Sequence, residues 1–276
     1  ERALALKALF LVTGYIVVLL SSKYVAEGDY WESEYYALML ASVVGMSVMA
    51  SAMDLITVFI ALELLSIPAY MLAAWRKRDV KSNEAGLKYY LMGVFATGIF
   101  LYGFSLLYGV SGSTNLAEIA TAIGKGDSPT AIVVVALIFS LAGFGFKVSA
   151  VPFHAWAPDT YEGAPTPITA FLAVASKTAG FAALIQLVFI AFAERSDVVQ
   201  PVMFILAALS MTVGNLIALR QTNVVRMLAY SGIAQAGFIL APFAVYSANS
   251  ELAMSAIVSY LVIYAAMNLG AFACVI

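Results

Sequence analysis

Apolar residues run almost without interruption through nine segments of the chain, and short polar stretches separate them. A helix needs about 20 apolar residues to cross a hydrocarbon core of ~30 Å, so each segment predicts a membrane-spanning helix. The nine predicted spans are at about 3–20, 36–53, 55–75, 88–110, 130–150, 166–193, 200–219, 224–246 and 252–276.

The second and third spans follow each other with almost no polar residue between them. As one helix rising about 1.5 Å per residue they would be ~60 Å long, twice the thickness of the membrane core. We therefore predict a reversal at "SAMD", residues 51–54, with Asp54 capping the next helix. In the loop at 111–129, "NLAEIATAIG" has an Asn and a Glu at capping-box spacing, which predicts a short surface helix over 115–124.

Composition identifies the class of protein. Of 276 residues, 63% are hydrophobic and 11% are charged, which is typical of an integral membrane protein. A net charge of −2 without a clustered basic excess argues against a nucleic-acid partner. The single cysteine, Cys274, excludes an internal disulfide. The chain begins without Met and ends inside an apolar segment, so we expect the natural polypeptide to extend beyond both ends.

Basic residues predict the orientation of the bundle, because Lys and Arg favour cytoplasmic loops. Alternation of nine spans puts eight basic residues on one side and three on the other, so the first side should be cytoplasmic. The acidic loop at 21–35 falls on that same side. The eight are Lys23, Arg76, Lys77, Arg78, Lys81, Lys88, Arg220 and Arg226, and the three are Arg2, Lys125 and Arg195.

Three ionisable residues fall in the middle of predicted spans: Glu63, Lys147 and Lys177. A charge at the centre of a lone helix costs about 2.5–3.5 kcal/mol on insertion scales, so such residues usually face a bundle interior or water. Glu63 can be a purely structural partner of one lysine, but one acid cannot neutralise two. Burial favours the neutral amine and a nearby carboxylate favours the ammonium. We therefore hypothesise that a changing distance between Glu63 and Lys147 switches the lysine between holding and releasing a proton.

The stretch "GFGFKVSAVPFHAWAPD", residues 143–159, places Pro152 five residues after Lys147. Proline removes a helix hydrogen bond, so Pro152 predicts either a discontinuous helix lining a cavity, with Lys147 beside freed backbone groups, or a simple kink. His154 is either a proton relay or a hydrogen-bonded interfacial residue. A single histidine does not make a metal site, and we predict no bound metal.

Several long strings resemble one family. They are "ALELLSIPAY", "KRDVKSNEAGLKYYLMG", "FLYGFSLLYGVSG", "GFGFKVSAVPFHAWAPDTYEGAPTPITAFLAVASK", "QTNVVRMLAYSGIAQAGF" and "YAAMNLGAFA". Together they resemble the N subunit of respiratory complex I, an antiporter-like membrane subunit of NADH-quinone oxidoreductase. The B subunit of the photosynthetic NDH complex fits nearly as well. The resemblance covers the chain from about residue 36.

The resemblance implies an all-α helix bundle of inverted five-helix repeats, each with a broken helix. It implies three parts: residues 1–35 as first span and acidic loop, 36–193 as one whole repeat, and 200–276 as the start of a second repeat. The second broken helix would lie beyond Ile276. Glu63 resembles the family's mid-membrane glutamate, Lys147 the lysine of the first broken helix and Lys177 the connecting lysine of the next helix.

One position departs from the family's common pattern. Many N and related subunits have histidine where this chain has Gln235, as the photosynthetic-type relatives also do. Glutamine cannot carry a proton as an imidazolium does. A relay through residue 235 is therefore in doubt, and a role in hydrogen bonding or holding water remains.

The resemblance implies a proton-translocating, non-redox subunit of a quinone-reducing translocase, in the bacterial plasma membrane or in thylakoids. No cofactor is expected on this chain, and quinone, flavin and iron–sulfur clusters are expected elsewhere in the complex. The expected partners are other membrane subunits, lipids, protons and water. Two alternatives stay open: a subunit of a multi-subunit sodium/proton antiporter, and a non-transporting membrane scaffold.

Overall fold

The computed structural model describes residues 2–28, 32–124 and 129–276, and this part of the chain is helical without a strand. Eight of its helices are long and apolar enough to cross a membrane, and α2 is a shorter apolar helix. The prediction of an all-helical membrane bundle is therefore confirmed. The helices are α1 Arg2–Glu27, α2 Glu32–Met49, α3 Leu55–Ala73, α4 Val80–Ser111, α5 Leu116–Gly124, α6 Thr130–Val148, α7 Trp156–Gly163, α8 Thr166–Phe171, α9 Lys177–Gln186, α10 Ser196–Ala218, α11 Val224–Leu240 and α12 Ser250–Val275.

The helices α8 and α9 are parts of one continuous helical span over 166–191. A π-helical segment, Leu172–Ser176, joins them, and a second π segment, Leu187–Ala191, follows α9. This span is the centre of the bundle, since its whole apolar window is buried inside the protein. Outer helices instead expose large apolar side chains, such as Phe95 on α4 and Leu216 on α10, as a lipid-facing surface requires.

The reversal between α2 and α3 lies where the sequence predicts it. Asp54 caps α3, because its Oδ1 accepts hydrogen bonds from the backbone N–H groups of Ile56 at 2.8 Å and Thr57 at 3.2 Å. The Asp54 carboxylate also accepts a hydrogen bond from the Thr114 hydroxyl, which ties the reversal to the loop before α5. The predicted surface helix is confirmed as α5, although Lys125, just after it, lies outside the described residues.

The fifth predicted span, at about 130–150, is broken. Helix α6 ends at Val148, and the next residue, Ser149, has a left-handed backbone conformation with φ of 59°. A turn containing Pro152 then leads to α7, a short helix outside the eight candidate spans. The helix thus stops four residues before Pro152, at the position whose carbonyl a proline cannot bond. The prediction of a discontinuous helix is confirmed, and the alternative of a simple kink is wrong.

Side chains from elsewhere satisfy backbone groups that the break exposes. The indole Nε1 of Trp156 donates to the carbonyl of Phe146 at 2.9 Å, and the N–H of Val151 donates to Ser210 Oγ at 2.9 Å. Unpaired backbone groups are costly away from water, so these bonds stabilise the turn. Ser210 belongs to α10, so the later part of the chain helps to hold the break.

Helices α10 and α11 pack closely because glycines face the neighbouring backbone. A Cβ at Gly214 would lie 2.6 Å from the backbone nitrogen of Ala234, and one at Gly237 would lie 2.7 Å from that of Met211. Both distances are too short for a side chain. The glycines therefore set the separation of these two helices, as small residues do at many membrane helix interfaces.

We expect Gly214→Ala to force α10 and α11 apart and to lower the free energy of unfolding by about 1–3 kcal/mol. Thermal unfolding of the protein in detergent measures the effect. Gly98→Ala is the matched control, because a Cβ there meets nothing within 4 Å. Its expected effect is neutral or slightly stabilising, since alanine favours helix. Equal unfolding temperatures for the two variants would show that the glycine at 214 is not needed for packing.

Candidate functional site

Lys147 lies in the last turn of α6, immediately before the break, and its side chain is only 3% exposed. Its Nζ donates a hydrogen bond to Ser66 Oγ on α3 at 2.8 Å and lies 3.4 Å from Tyr89 OH on α4. The sequence predicts freed backbone groups beside this lysine, but its hydrogen-bond partners are hydroxyls. Neutral hydroxyls can solvate an ammonium without fixing its charge as a carboxylate would.

Aromatic rings hold Tyr89 in place. Its ring stacks on Trp156, with centroids 4.4 Å apart and an angle of 11°, and the ring of Tyr70 meets it edge-on at 4.6 Å. Tyr89 is completely buried. Since Trp156 is the first residue of α7, the broken helix supplies both Lys147 and one of the rings that orient its partner.

Glu63 lies one turn before Ser66 on α3 and is partly exposed. The hydroxyl of Thr97 on α4 donates to Glu63 Oε1 at 3.0 Å. Glu63 therefore approaches Lys147 along the same helix face as Ser66, but it does not form an ion pair with the lysine in this structure. The hypothesis that their distance changes stays a prediction.

Lys177 directly follows the first π segment and is 1% exposed. Its Nζ donates to the carbonyl oxygen of Gly232 on α11 at 2.9 Å. A Cβ at Gly232 would lie 3.1 Å from that Nζ and 3.2 Å from Tyr264 OH, so the glycine leaves room for both groups. The Tyr264 hydroxyl in turn donates to the carbonyl of Ala173, within the π segment.

Lys147, on α6, packs against the central span that carries Lys177. A Cβ at Gly180, one turn after Lys177, would lie 3.2 Å from Cγ of Lys147. The stem of Lys147 thus packs against the helix that carries Lys177. Both amines are bound to neutral oxygen atoms, and neither is paired with an acid of the described residues.

A charged cluster closes one end of the site. It joins the start of α4 to α7 and the start of α11, around a cavity of about 160 Å³. Arg226 Nη1 lies 2.7 Å from Asp159 and 2.9 Å from Glu162, and Lys88 Nζ lies 2.7 Å from Asp159. The residues of the charged cluster are Lys81, Glu84, Lys88, Asp159, Glu162 and Arg226. Its three basic residues all belong to the predicted cytoplasmic side.

Three further predicted residues, His154, Pro152 and Gln235, do not hydrogen-bond to either buried lysine. His154 is partly buried in the turn, and its Nδ1 has no hydrogen-bond partner among the described residues. The structure does not link it to Lys147, and a relay through it stays a prediction. Gln235 lies one turn after Gly232 on α11, and its Oε1 accepts a hydrogen bond from Tyr260 OH. Hydrogen bonding is the role that the sequence leaves to Gln235.

Sequence reasoning missed the groups that contact the charges. Ser66 had a usable signal, because it falls three residues after Glu63 and therefore shares its helix face. Thr97, Tyr89 and Gly232 had none, since hydroxyl and glycine residues are common in apolar spans. Only the packing of α4 against α3 and the broken helix α6–α7, and of α11 against α7, brings them to the site.

Comparison with known proteins supports the resemblance. A family model for the transmembrane segment of NADH:quinone oxidoreductases and Mrp antiporters matches residues 52–276. The chain belongs to this family. It is 45% identical over 275 residues to NADH-quinone oxidoreductase subunit N of Trichlorobacter lovleyi, covering 99% of this chain and 56% of that protein. It is 47% identical over 275 residues to NAD(P)H-quinone oxidoreductase subunit 2 of Thermosynechococcus vestitus, covering 99% of this chain and 52% of that protein.

Solved structures agree with this assignment. A chain of Thermus thermophilus respiratory complex I has a TM-score of 0.83 at 36% identity, with 99% of this chain and 56% of that chain covered. A chain of the Mrp complex from Dietzia sp. has a TM-score of 0.82 at 22% identity, covers 97% of this chain and 49% of that chain, and shows the fold alone. This family member spans about half the length of the curated relatives it matches.

The charged cluster predicts a pH dependence of stability. Partial burial raises the pKa of Asp159, but hydrogen bonds from Lys88 and Arg226 outweigh it and hold the pKa below its usual range. A carboxyl group whose pKa is lowered by folding stabilises the protein at pH values above its pKa in the unfolded chain, which is about 4. This stabilisation is lost as the pH falls through the pKa of the folded state. We expect Asp159→Asn to be less stable than the wild type at neutral pH, with the difference shrinking in acid.

Thermal unfolding in detergent at a series of pH values tests this expectation. Glu251→Gln is the control, because it also removes one carboxylate but at an exposed position outside the charged cluster. An unchanged pH dependence in Asp159→Asn would contradict the assigned role of the cluster.

Proposed function

We propose that this chain belongs to a proton-translocating, antiporter-like subunit of the N type in a complex that reduces quinone. The observation that carries the proposal is the pair of buried lysines, Lys147 beside a helix break and Lys177 one turn from its stem. Among the described residues, each is bound only to neutral oxygens. A scaffold would gain nothing from two such costly groups. The family and the relatives named subunit N support the quinone-linked role.

The proposed mechanism couples the charge at Glu63 to the protonation of Lys147. A carboxylate that approaches the lysine favours the ammonium, and its withdrawal favours release of the proton. Two unit charges 4 Å apart interact by about 4 kcal/mol at an effective dielectric of 20. Moving one charge across 100 mV requires about 2.3 kcal/mol. Making and breaking this interaction is therefore of the right size to drive one proton.

We further propose that residues 36–193 form one whole five-helix repeat and that 200–276 begin a second, inverted one. The first repeat would consist of α2, α3, α4, the broken helix α6–α7 and the central span. Helices α10, α11 and α12 would begin the second. Its own broken helix would lie beyond Ile276, in the half of the relatives that this chain does not cover.

Redox chemistry would take place in other subunits, where quinone, flavin and iron–sulfur clusters would bind. Glu63 is partly exposed on α3, where a neighbouring membrane subunit could reach it. A change in that neighbouring subunit, caused by quinone reduction, would then act on Glu63, the first charged group of the proposed pathway. We place the complex in a bacterial plasma membrane or a thylakoid membrane, surrounded by lipid.

We expect Lys147→Met and Lys177→Met, introduced into the full-length subunit of the assembled complex, to reduce proton translocation at least about tenfold. Methionine keeps the apolar stem but cannot bind a proton. The measurement is proton uptake by proteoliposomes per electron transferred to quinone. Lys77→Met is the control, because Lys77 is exposed in the loop after α3.

Full translocation by both lysine variants would refute the pathway. Transport that depends on sodium and continues without electron transfer would instead assign the subunit to a sodium/proton antiporter.

A further inference from the structure

Two hydroxyl groups connect the neighbourhoods of the buried lysines. Tyr89 OH lies 3.4 Å from Lys147 Nζ, within reach of its hydrogen bond. The Tyr89 side chain also interacts with the side chain of Ser176, which is 2% exposed. Ser176 directly precedes Lys177 on the central span. A line of side chains thus leads from one lysine to the residue next to the other.

We propose that Tyr89 and Ser176 form a proton relay between Lys147 and Lys177. The inference rests on the proposed function and names the route that a proton takes from the first lysine to the second.

The transfer balances at every step. The ammonium of Lys147 gives a proton to the Tyr89 oxygen, and the original phenolic proton passes to the Ser176 oxygen. The original Ser176 proton then reaches the neutral amine of Lys177, through one water molecule or after that side chain rotates away from Gly232. Each hydroxyl gains one proton and loses one, so the net change is a neutral Lys147 and a charged Lys177. Rotation of the two hydroxyls resets the relay.

Packing and hydrogen bonds hold the two relay residues in place. The ring of Tyr89 is completely buried between Trp156 and Tyr70, so its hydroxyl is held at a constant position. The hydrogen bond from Tyr264 to the carbonyl of Ala173 fixes the π segment that ends at Ser176. Fixed donor and acceptor positions favour proton transfer, because little reorganisation is needed during the step.

Two groups that bind the lysines directly do not offer this route. Ser66 also binds Lys147, but it lies on α3 with Glu63 and so leads toward the acid. The carbonyl of Gly232 accepts a hydrogen bond from Lys177 but has no proton to pass on. Lys147 therefore has one hydroxyl on the helix of Glu63 and another that leads to Lys177.

Tyr89→Phe in the full-length subunit of the assembled complex tests the proposal. It keeps the ring between Trp156 and Tyr70 but removes the hydroxyl, so we expect proton translocation to slow roughly tenfold. We also expect a larger solvent deuterium isotope effect, because proton transfer becomes the limiting step; a purely structural defect would not produce it. Ser176→Ala should have the same effects, and combining the two should add little, since both interrupt one route.

Tyr161→Phe is the matched control. Tyr161 is also buried beside Trp156, with ring centroids 6.1 Å apart, but its hydroxyl has no hydrogen-bond partner in the part of the chain that the structure describes. If Lys147→Met stops translocation while Tyr89→Phe behaves like Tyr161→Phe, the relay is wrong and the proposed function stands. If Lys147→Met leaves translocation intact, the proposed function fails and the relay fails with it.

Discussion

The structure depends on one constraint: a polar group inside a membrane protein must find its partners within the protein, because the hydrocarbon around it offers none. A break in a spanning helix creates several such groups at once. Here the indole of Trp156 and the hydroxyl of Ser210 form hydrogen bonds with backbone groups at the break. The hydroxyls of Ser66 and Tyr89 accept hydrogen bonds from the amine of Lys147. The break and the buried charge are therefore tolerated together.

The same constraint joins the two parts of the chain. Ser210 on α10 and Arg226 on α11 bind the turn and α7, while Gly232 on α11 and Tyr264 on α12 contact the neighbourhood of Lys177. The site is thus not complete within residues 36–193, although both lysines lie there. A change in the packing of α10–α12 would reach Lys177 through Gly232, and the helix break through Ser210.

The charged cluster and the two buried lysines have different kinds of partners. In the charged cluster, Arg226 and Lys88 pair directly with Asp159, which fixes the position of α7. Around Lys147 and Lys177 the partners are neutral, so neither protonation state is fixed. Opposite charges in contact suit a structural clamp, whereas hydroxyl and carbonyl dipoles suit a group whose charge must change.

Much of the fold could be predicted from the sequence, because the length and hydrophobicity of the spans and the capping residue Asp54 act locally. The position of the helix break could also be predicted, since Pro152 removes a specific hydrogen bond. The pattern of hydrophobic spans also placed Glu63, Lys147 and Lys177 in the middle of spans. Among their partners, Ser66 had a signal in its spacing from Glu63. Tyr89 and Gly232 could not be predicted, because they come from other helices and nothing in an apolar span marks which hydroxyl or glycine will face a charge. Only the tertiary packing decided that the lysines meet neutral oxygens rather than Glu63, because helix contacts between distant segments determine which side chains share the interior.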